Sequence, residues 1–170
     1  MMRTGPVALL LLTAGAGAAS AAPPQLHDKA IYTSVSIAVT ARSEDGTSAS
    51  RPRQIDRIIY VSSKGRLFAR VSRQAGPRNQ TMERGPEESA GSFRFQGNAL
   101  VGGLALVSGA AQMTITFDPS FSSCTASLVM GREGGKAMKF KGLDGKTYTI
   151  EGKPSVSNVS CSVRAGNPFG

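Results

Sequence analysis

The stretch Ile31–Thr40, IYTSVSIAVT, decides the fold class, because its apolar residues alternate with small polar ones. Ile31, Val35, Ile37 and Val39 fall on one side of an extended chain, and hydroxyl side chains lie between them. A repeat of two residues is that of a β-strand with one buried face. The segment therefore predicts a half-buried strand near the start of the domain.

Similar short runs, separated by turn residues, follow to the end of the chain. No segment after the first 21 residues has the spacing of an amphipathic helix. About eight or nine strands are expected, which favours an antiparallel β-sandwich or a small β-barrel. One interval is different, because residues 74–90 contain two prolines, two glycines and almost no large apolar residues. They predict a long exposed loop.

The first 21 residues have the features of a cleavable signal peptide. Arg3 precedes the apolar run Val7–Leu12, and Ala19-Ser20-Ala21 is a small-x-small cleavage site, so cleavage is expected after Ala21 or Ala22. The apolar run is too short to span a bilayer. We expect a bacterial periplasmic or secreted protein with a flexible segment at 22–30 and one β domain at 31–170.

Two cysteines, Cys124 and Cys161, are the only ones in the chain. An exported protein meets an oxidising environment, so a disulfide between them is expected. A redox pair normally has the close C-x-x-C spacing, which is absent here.

The positive charge is concentrated in one third of the chain. Without residues 1–21, 19 basic and 11 acidic residues leave a charge of +8, and residues 51–84 alone hold nine basic and two acidic residues. This interval contains a predicted hairpin, whose strands at 55–61 and 67–71 flank the turn Ser62-Ser63-Lys64-Gly65. The hairpin is therefore the most basic part of the predicted domain.

Alternation places Leu67, Ala69 and Val71 on the core face of the second hairpin strand, and Arg66, Phe68 and Arg70 on its outer face. Arginine prefers planar partners such as phosphate, sulfate or carboxylate. A docking surface for an anionic polymer is one interpretation, and a solvated edge hairpin whose charge prevents aggregation is the other. The candidate anion-binding residues are Arg57, Lys64, Arg66, Phe68, Arg70 and Arg73.

Catalytic and metal-binding patterns are weak. His27 is the only histidine, and bridged cysteines do not ligate zinc. The carboxylates of Asp118, Glu133, Asp144 and Glu151 have no spacing that pairs them for acid–base chemistry. We therefore expect a non-enzymatic protein with no metal and no cofactor.

Three stretches resemble those of small secreted proteins of unknown function in alphaproteobacteria. They are IYVSSKGRLF at 59–68, FDPSFSSC at 117–124 and SCSVRAGNPF at 160–169. The resemblance supports export and the cysteine pair, and it implies no activity.

The leading hypothesis is an exported binding protein whose Arg-rich hairpin (51–84) docks an anionic envelope component or a protein partner. A hydrolase inhibitor acting through the loop at 74–90 is an alternative, and so is a small-ligand carrier with an internal cavity. A carrier needs an apolar pocket, which the small residues at 102–103 and 109–111 could line or could close by packing.

Overall fold

A computed structural model describes residues 21–75, 80–83, 87–88, 93–106, 109–131, 139–142 and 144–170. The predicted signal peptide lies almost entirely in residues 1–20, outside the described residues. Within the described part the chain is almost entirely β-strand, with one short 3₁₀ turn at Pro24–Leu26. The all-β class is therefore confirmed.

Eleven strands are present in the described residues, two or three more than predicted. They are β1 (Lys29–Ser43), β2 (Ser48–Val61), β3 (Leu67–Ala75), β4 (Gln80–Glu83), β5 (Glu87–Glu88), β6 (Phe93–Gln96), β7 (Ala99–Leu106), β8 (Gly109–Phe117), β9 (Cys124–Met130), β10 (Lys139–Lys141) and β11 (Thr147–Ala165). The additional strands are only two to four residues long. They form because they pair with neighbouring strands, and their hydrophobic pattern is too short to predict them.

The strands form two antiparallel sheets. The first has the order β10-β11-β1-β2-β3-β4, with β5 also pairing with β3, and the second has the order β6-β7-β8-β9. In the first sheet, β1 pairs with β2 from Lys29 to Arg42 and with β11 on its other side. This central position of β1 explains why its alternation is the clearest in the sequence.

The first sheet is curled, and β11 shows why. Its pairing with β1 shifts register twice, and Gly152 and Asn158, which lie in the two interruptions, have positive φ values of 70° and 50°. Extra residues of this kind bend a strand and increase its twist. The 19-residue β11 can thereby follow the second sheet around the core.

The apolar faces of the two sheets share one core. The first sheet contributes Ile31, Val35 and Ile59, and the second contributes Leu100 and Met113, together with other large side chains. The predicted disulfide joins Cys124 of β9 to Cys161 of β11, with Cα atoms 5.5 Å apart, and both residues pack against this core. The bridge therefore connects the two sheets.

Two segments differ from their expected form. Residues 22–30, predicted to be flexible, are packed instead, because Leu26 is fully buried in the core and Ala22 is almost so. The interval 74–90, predicted as one loop, contains the end of β3 and the short strands β4 and β5, which both pair with β3. Its other residues, 76–79, 84–86 and 89–90, lie outside the described part of the chain.

Candidate functional site

The turn of the hairpin between β2 and β3 is held by its own backbone. The Gly65 amide donates to the Ser62 carbonyl at 2.8 Å, and the Ser62 amide donates to the Arg66 carbonyl at 2.9 Å. Gly65 has a φ of +72°, and a Cβ there would lie 3.2 Å from His27 Nε2. The positive φ therefore favours glycine, and any larger side chain would also press against the His27 ring. The turn exposes Lys64 and starts β3 with Arg66 beside it.

Strand register determines which side chains share the outer face of the first sheet. One row of cross-strand partners begins with Phe68 of β3, which pairs with Tyr60 of β2. Tyr60 pairs with Ala30 of β1, and Ala30 pairs with Arg164 of β11. In the adjacent row, Arg70 lies opposite Ile58, which lies opposite Tyr32. Leu67, Ala69 and Val71 pack against the core on the other side, as predicted.

Three arginines on this outer face each stack on an aromatic ring. The guanidinium carbon of Arg66 lies 5.7 Å from the ring centre of Phe68, that of Arg70 lies 5.2 Å from Phe169, and that of Arg164 lies 4.8 Å from Tyr32. Such cation–π contacts are attractive and restrict the movement of the guanidinium group. We call the surface formed by these arginines, their three rings and Tyr60 the arginine face. Its residues are Tyr32, Tyr60, Arg66, Phe68, Arg70, Arg164 and Phe169.

No acidic side chain in the described part of the structure forms an ion pair with Arg70 or Arg164. The ion pairs that join described residues, Arg42–Glu151 and Lys146–Asp45, lie at the far end of β1 and include neither of them. Arg164 is exposed and Arg70 is half-buried. The edges of their guanidinium groups can therefore reach an anion in solution.

The last residues of the chain, 166–170, cross the outer face and are called the C-terminal strap. The Gly166 amide donates to the Asp28 carbonyl at 2.7 Å, and the ring of Phe169 packs edge-on against Tyr60 with centres 6.3 Å apart. The Tyr60 hydroxyl donates to Asp28 Oδ1 at 2.8 Å, and this hydrogen bond raises the pKa of the Tyr60 hydroxyl. The strap therefore brings Phe169 beneath Arg70.

The candidate residues named from the sequence fall into different places. Arg66, Phe68 and Arg70 share the outer face, and Lys64 is exposed at the turn. Arg73 belongs to β3 opposite Ile55, and its side chain lies outside the described part of the structure.

The assignment of Arg57 to the anion-binding surface is wrong. Its side chain is only 8% exposed and points to the core side, where its guanidinium carbon lies 4.8 Å above the Phe93 ring. The alternation Ile55, Arg57, Ile59, Val61 could have indicated this inward position. Ile58 on the opposite face makes the pattern of β2 ambiguous, because both of its faces are partly apolar.

Four residues of the arginine face were not identified from the sequence. Tyr32, Tyr60 and Arg164 belong to β1, β2 and β11, and Phe169 belongs to the strap, so all four lie outside the second hairpin strand. Only the pairing of β11 with β1 and of β1 with β2 brings them together. No local motif marks them, so no signal in the sequence could have found the whole set.

Two of the carboxylates considered for catalysis, Asp118 and Asp144, accept hydrogen bonds within turns. Asp118 Oδ1 accepts hydrogen bonds from the amides of Ser122 and Ser123, both at 2.8 Å, and a hydrogen bond from the Ser120 hydroxyl contributes most to holding the Asp118 pKa well below its ordinary value. The Tyr148 hydroxyl donates to Asp144 and lowers the pKa of that carboxyl. A general acid needs a raised pKa, so neither aspartate is prepared for that role.

Among the described residues, no group of three or more histidine, cysteine, aspartate or glutamate side chains is arranged to hold a metal ion. In the same part of the chain, no helix has the length and apolar character needed to cross a bilayer. Comparisons with protein-family models, curated proteins and solved structures found no match to this chain. The arginine face is therefore the feature from which function must be argued.

Proposed function

We propose that this protein is an exported, non-enzymatic binding protein whose arginine face docks an anionic polymer of the cell envelope. The observation that carries the proposal is the stacking of Arg66, Arg70 and Arg164 on aromatic rings of one sheet face. A protein partner with an acidic surface would present the same chemistry, and the polymer is preferred because the arginines are widely spaced.

Stacking prepares each arginine for an anion. A free arginine side chain loses about 2 kcal/mol of rotamer freedom when it is immobilised. A guanidinium group already held on a ring has lost part of this freedom before a ligand arrives, so binding costs less. For Arg70 and Arg164, the N–H edge stays available for the two oxygens of a carboxylate, sulfate or phosphate.

The spacing favours a ligand with several charges. Arg164 on β11 and Phe68 on β3 are three strands apart in the register, which corresponds to about 14 Å. A single small anion cannot contact both ends of such a surface. A polymer with repeated charges can contact both ends, and each bound charge then raises the effective concentration of the next one.

The alternative of a solvated edge hairpin is weakened by the sheet order. Charged residues protect a strand whose backbone groups are unpaired. β3 is paired with β2 on one side, and on the other side β5 covers residues 68–69 and β4 covers residues 72–75. Most of β3 is therefore not an open edge that charge would have to protect.

The other two alternatives gain no specific support. The carrier hypothesis needs an apolar cavity, whereas large side chains such as Phe95, Met113 and Phe117 occupy the space between the sheets in the described part. The inhibitor hypothesis depends on residues 74–90, of which only the backbone pairing of β3, β4 and β5 is described. The disulfide is compatible with the oxidising compartment that the proposal assumes.

Heparin chromatography tests the proposal. The triple variant Arg66→Gln, Arg70→Gln, Arg164→Gln removes the arginine face, and the control Arg94→Gln, Lys139→Gln, Lys153→Gln removes the same charge from exposed positions elsewhere. Each lost contact should reduce the slope of log affinity against log salt, because fewer counterions are released on binding. We expect the first variant to elute at much lower salt than the control. Elution of both at the same salt would show that net charge alone explains retention.

A further inference from the structure

A row of polar side chains lies directly beside the arginine face. In the register of the first sheet, Arg70 pairs with Ile58, and Ile58 pairs with Tyr32. Two residues earlier in β2, Asp56 pairs with Ser34 of β1. Residues two apart in a strand point to the same side of the sheet, so Asp56 and Ser34 extend the arginine face by one row.

A side-chain amide joins the two members of this polar row. Gln54 Nε2 donates to Ser34 Oγ at 3.3 Å and to Asp56 Oδ1 at 3.1 Å. A carboxylate can accept about four hydrogen bonds. Within the described residues only the Gln54 amide donates to Asp56, and the Asp56 residue is half-buried rather than enclosed. The carboxylate can therefore accept further hydrogen bonds from hydroxyl groups of a ligand.

Asp56 also places a negative charge close to Arg70 without neutralising it. The two residues are diagonal neighbours in the sheet, and such neighbours lie about 7–8 Å apart. No ion pair joins their side chains in the described part of the chain. An anion bound at Arg70 is attracted by the arginine, whereas an anion placed over Ile58 is repelled by Asp56. The surface is therefore cationic at Arg70, apolar at Ile58 and anionic at Asp56.

This order of charges distinguishes between anionic polymers. Arg70 and Tyr32, which carries Arg164 on its ring, are two strand spacings apart, which is about 10 Å. A nucleic acid strand has one charge about every 3.4 Å, so about three phosphates would cross this interval and lie against Ile58 and Asp56. A polysaccharide in which acidic and neutral sugars alternate brings C–H groups and hydroxyl groups to the same place instead.

We infer that the anionic polymer of the proposed function is an acidic polysaccharide whose charged sugars alternate with neutral ones, and that Asp56 determines this specificity. The acidic sugars bind Arg70 and Arg164. The neutral sugar between them lies on Ile58 and donates its hydroxyl groups to Asp56. Repulsion by Asp56 disfavours polymers that carry a charge on every unit, which is selection against the wrong partner. This inference rests on the proposed function, because it needs the arginine face as the binding surface.

Binding of two polymers of similar length tests the inference. The probes are a fluorescently labelled hyaluronan fragment, in which every second sugar carries a carboxylate, and a labelled single-stranded DNA. Affinities are measured by fluorescence anisotropy at one fixed, near-physiological salt concentration. We expect the wild-type protein to bind hyaluronan more tightly than DNA.

Three variants separate the charge of Asp56 from its hydrogen bonding. Asp56→Asn removes the charge and keeps the size, and it should raise the affinity for DNA roughly three- to tenfold while changing that for hyaluronan by a smaller factor. Asp56→Ala also removes the acceptor, so it should weaken hyaluronan binding and still strengthen DNA binding. The control Glu44→Gln removes the same charge from an exposed position in the turn after β1, and it should change both affinities little and by the same factor.

The outcomes distinguish this inference from the proposed function. Equal factors for the two polymers in both Asp56 variants would overturn the role of Asp56. Tighter binding of DNA than of hyaluronan by the wild-type protein would overturn the polysaccharide class and leave an anion-binding arginine face. Binding of neither polymer, together with heparin retention that the arginine substitutions do not change, would overturn the proposed function itself. Thermal unfolding of each variant checks that its fold is retained.

Discussion

Replacing Cys124 and Cys161 by serine removes the covalent connection between the two sheets. The cysteines are 37 residues apart in the sequence, and closing a loop of this length in the unfolded chain corresponds to about 4 kcal/mol in the chain-entropy model. We therefore expect the double variant to lose about 4 kcal/mol of unfolding free energy. For a domain of this size, the loss corresponds to a decrease of about 10 °C in the unfolding midpoint.

The position of the bridge in the fold gives a second reason for a large effect. β9 is an end strand of the second sheet and is hydrogen-bonded to β8 only, among the described strands. Its attachment to β11 depends on the disulfide and on the packing of Leu128, Met130 and Val163 against the core. Without the bridge, β9 should therefore be among the first elements to separate from the first sheet.

Urea unfolding followed by far-ultraviolet circular dichroism measures the effect, because the chain contains no tryptophan for fluorescence. Each single variant should match the double variant, since either substitution breaks the bridge. Wild-type protein in reductant should approach the same midpoint. A loss below about 1 kcal/mol would refute the entropic argument and would indicate residual structure in the unfolded chain.

Two further changes test the packing and the turns. Leu26→Ala should destabilise the domain by about 2–5 kcal/mol, because this side chain is fully buried. Urea unfolding measures the loss. An effect as small as that of Gln25→Ala would mean that the N-terminal segment is not part of the core. Stability should also fall with pH below about 4, because the Asp118 pKa is lower in the folded than in the unfolded chain, and the unfolded state therefore binds a proton first. Thermal unfolding from pH 6 to pH 2 should show a weaker decline for Asp118→Asn, and equal declines would contradict the role of this carboxylate.

Several features could be predicted from the sequence because each depends on local pattern. The alternation in Ile31–Thr40 identified the central strand, and the Ser62–Gly65 turn defined the hairpin and the outward position of Arg66, Phe68 and Arg70. The disulfide followed from having two cysteines in a chain whose first 21 residues have the features of a signal peptide. Alternation, turn chemistry and cysteine count are properties of neighbouring residues or of composition, so they need no knowledge of the other strands.

Other features depended on strand pairing and could not be read in this way. Arg57 was assigned to the wrong face because β2 is partly apolar on both faces, and only the second sheet, through Phe93, decides which face is inside. Arg164 and Phe169 reach the arginine face from the far end of the chain.

The fold class, the disulfide and the outward arginines of one hairpin follow from alternation and composition, so they can be predicted from neighbouring residues alone. The burial of Ala22 and Leu26 in the core and the stacking of three arginines on aromatic rings could be seen only in the folded chain. Most of these contacts join residues that are distant in sequence, and strand register and sheet curl bring those residues together.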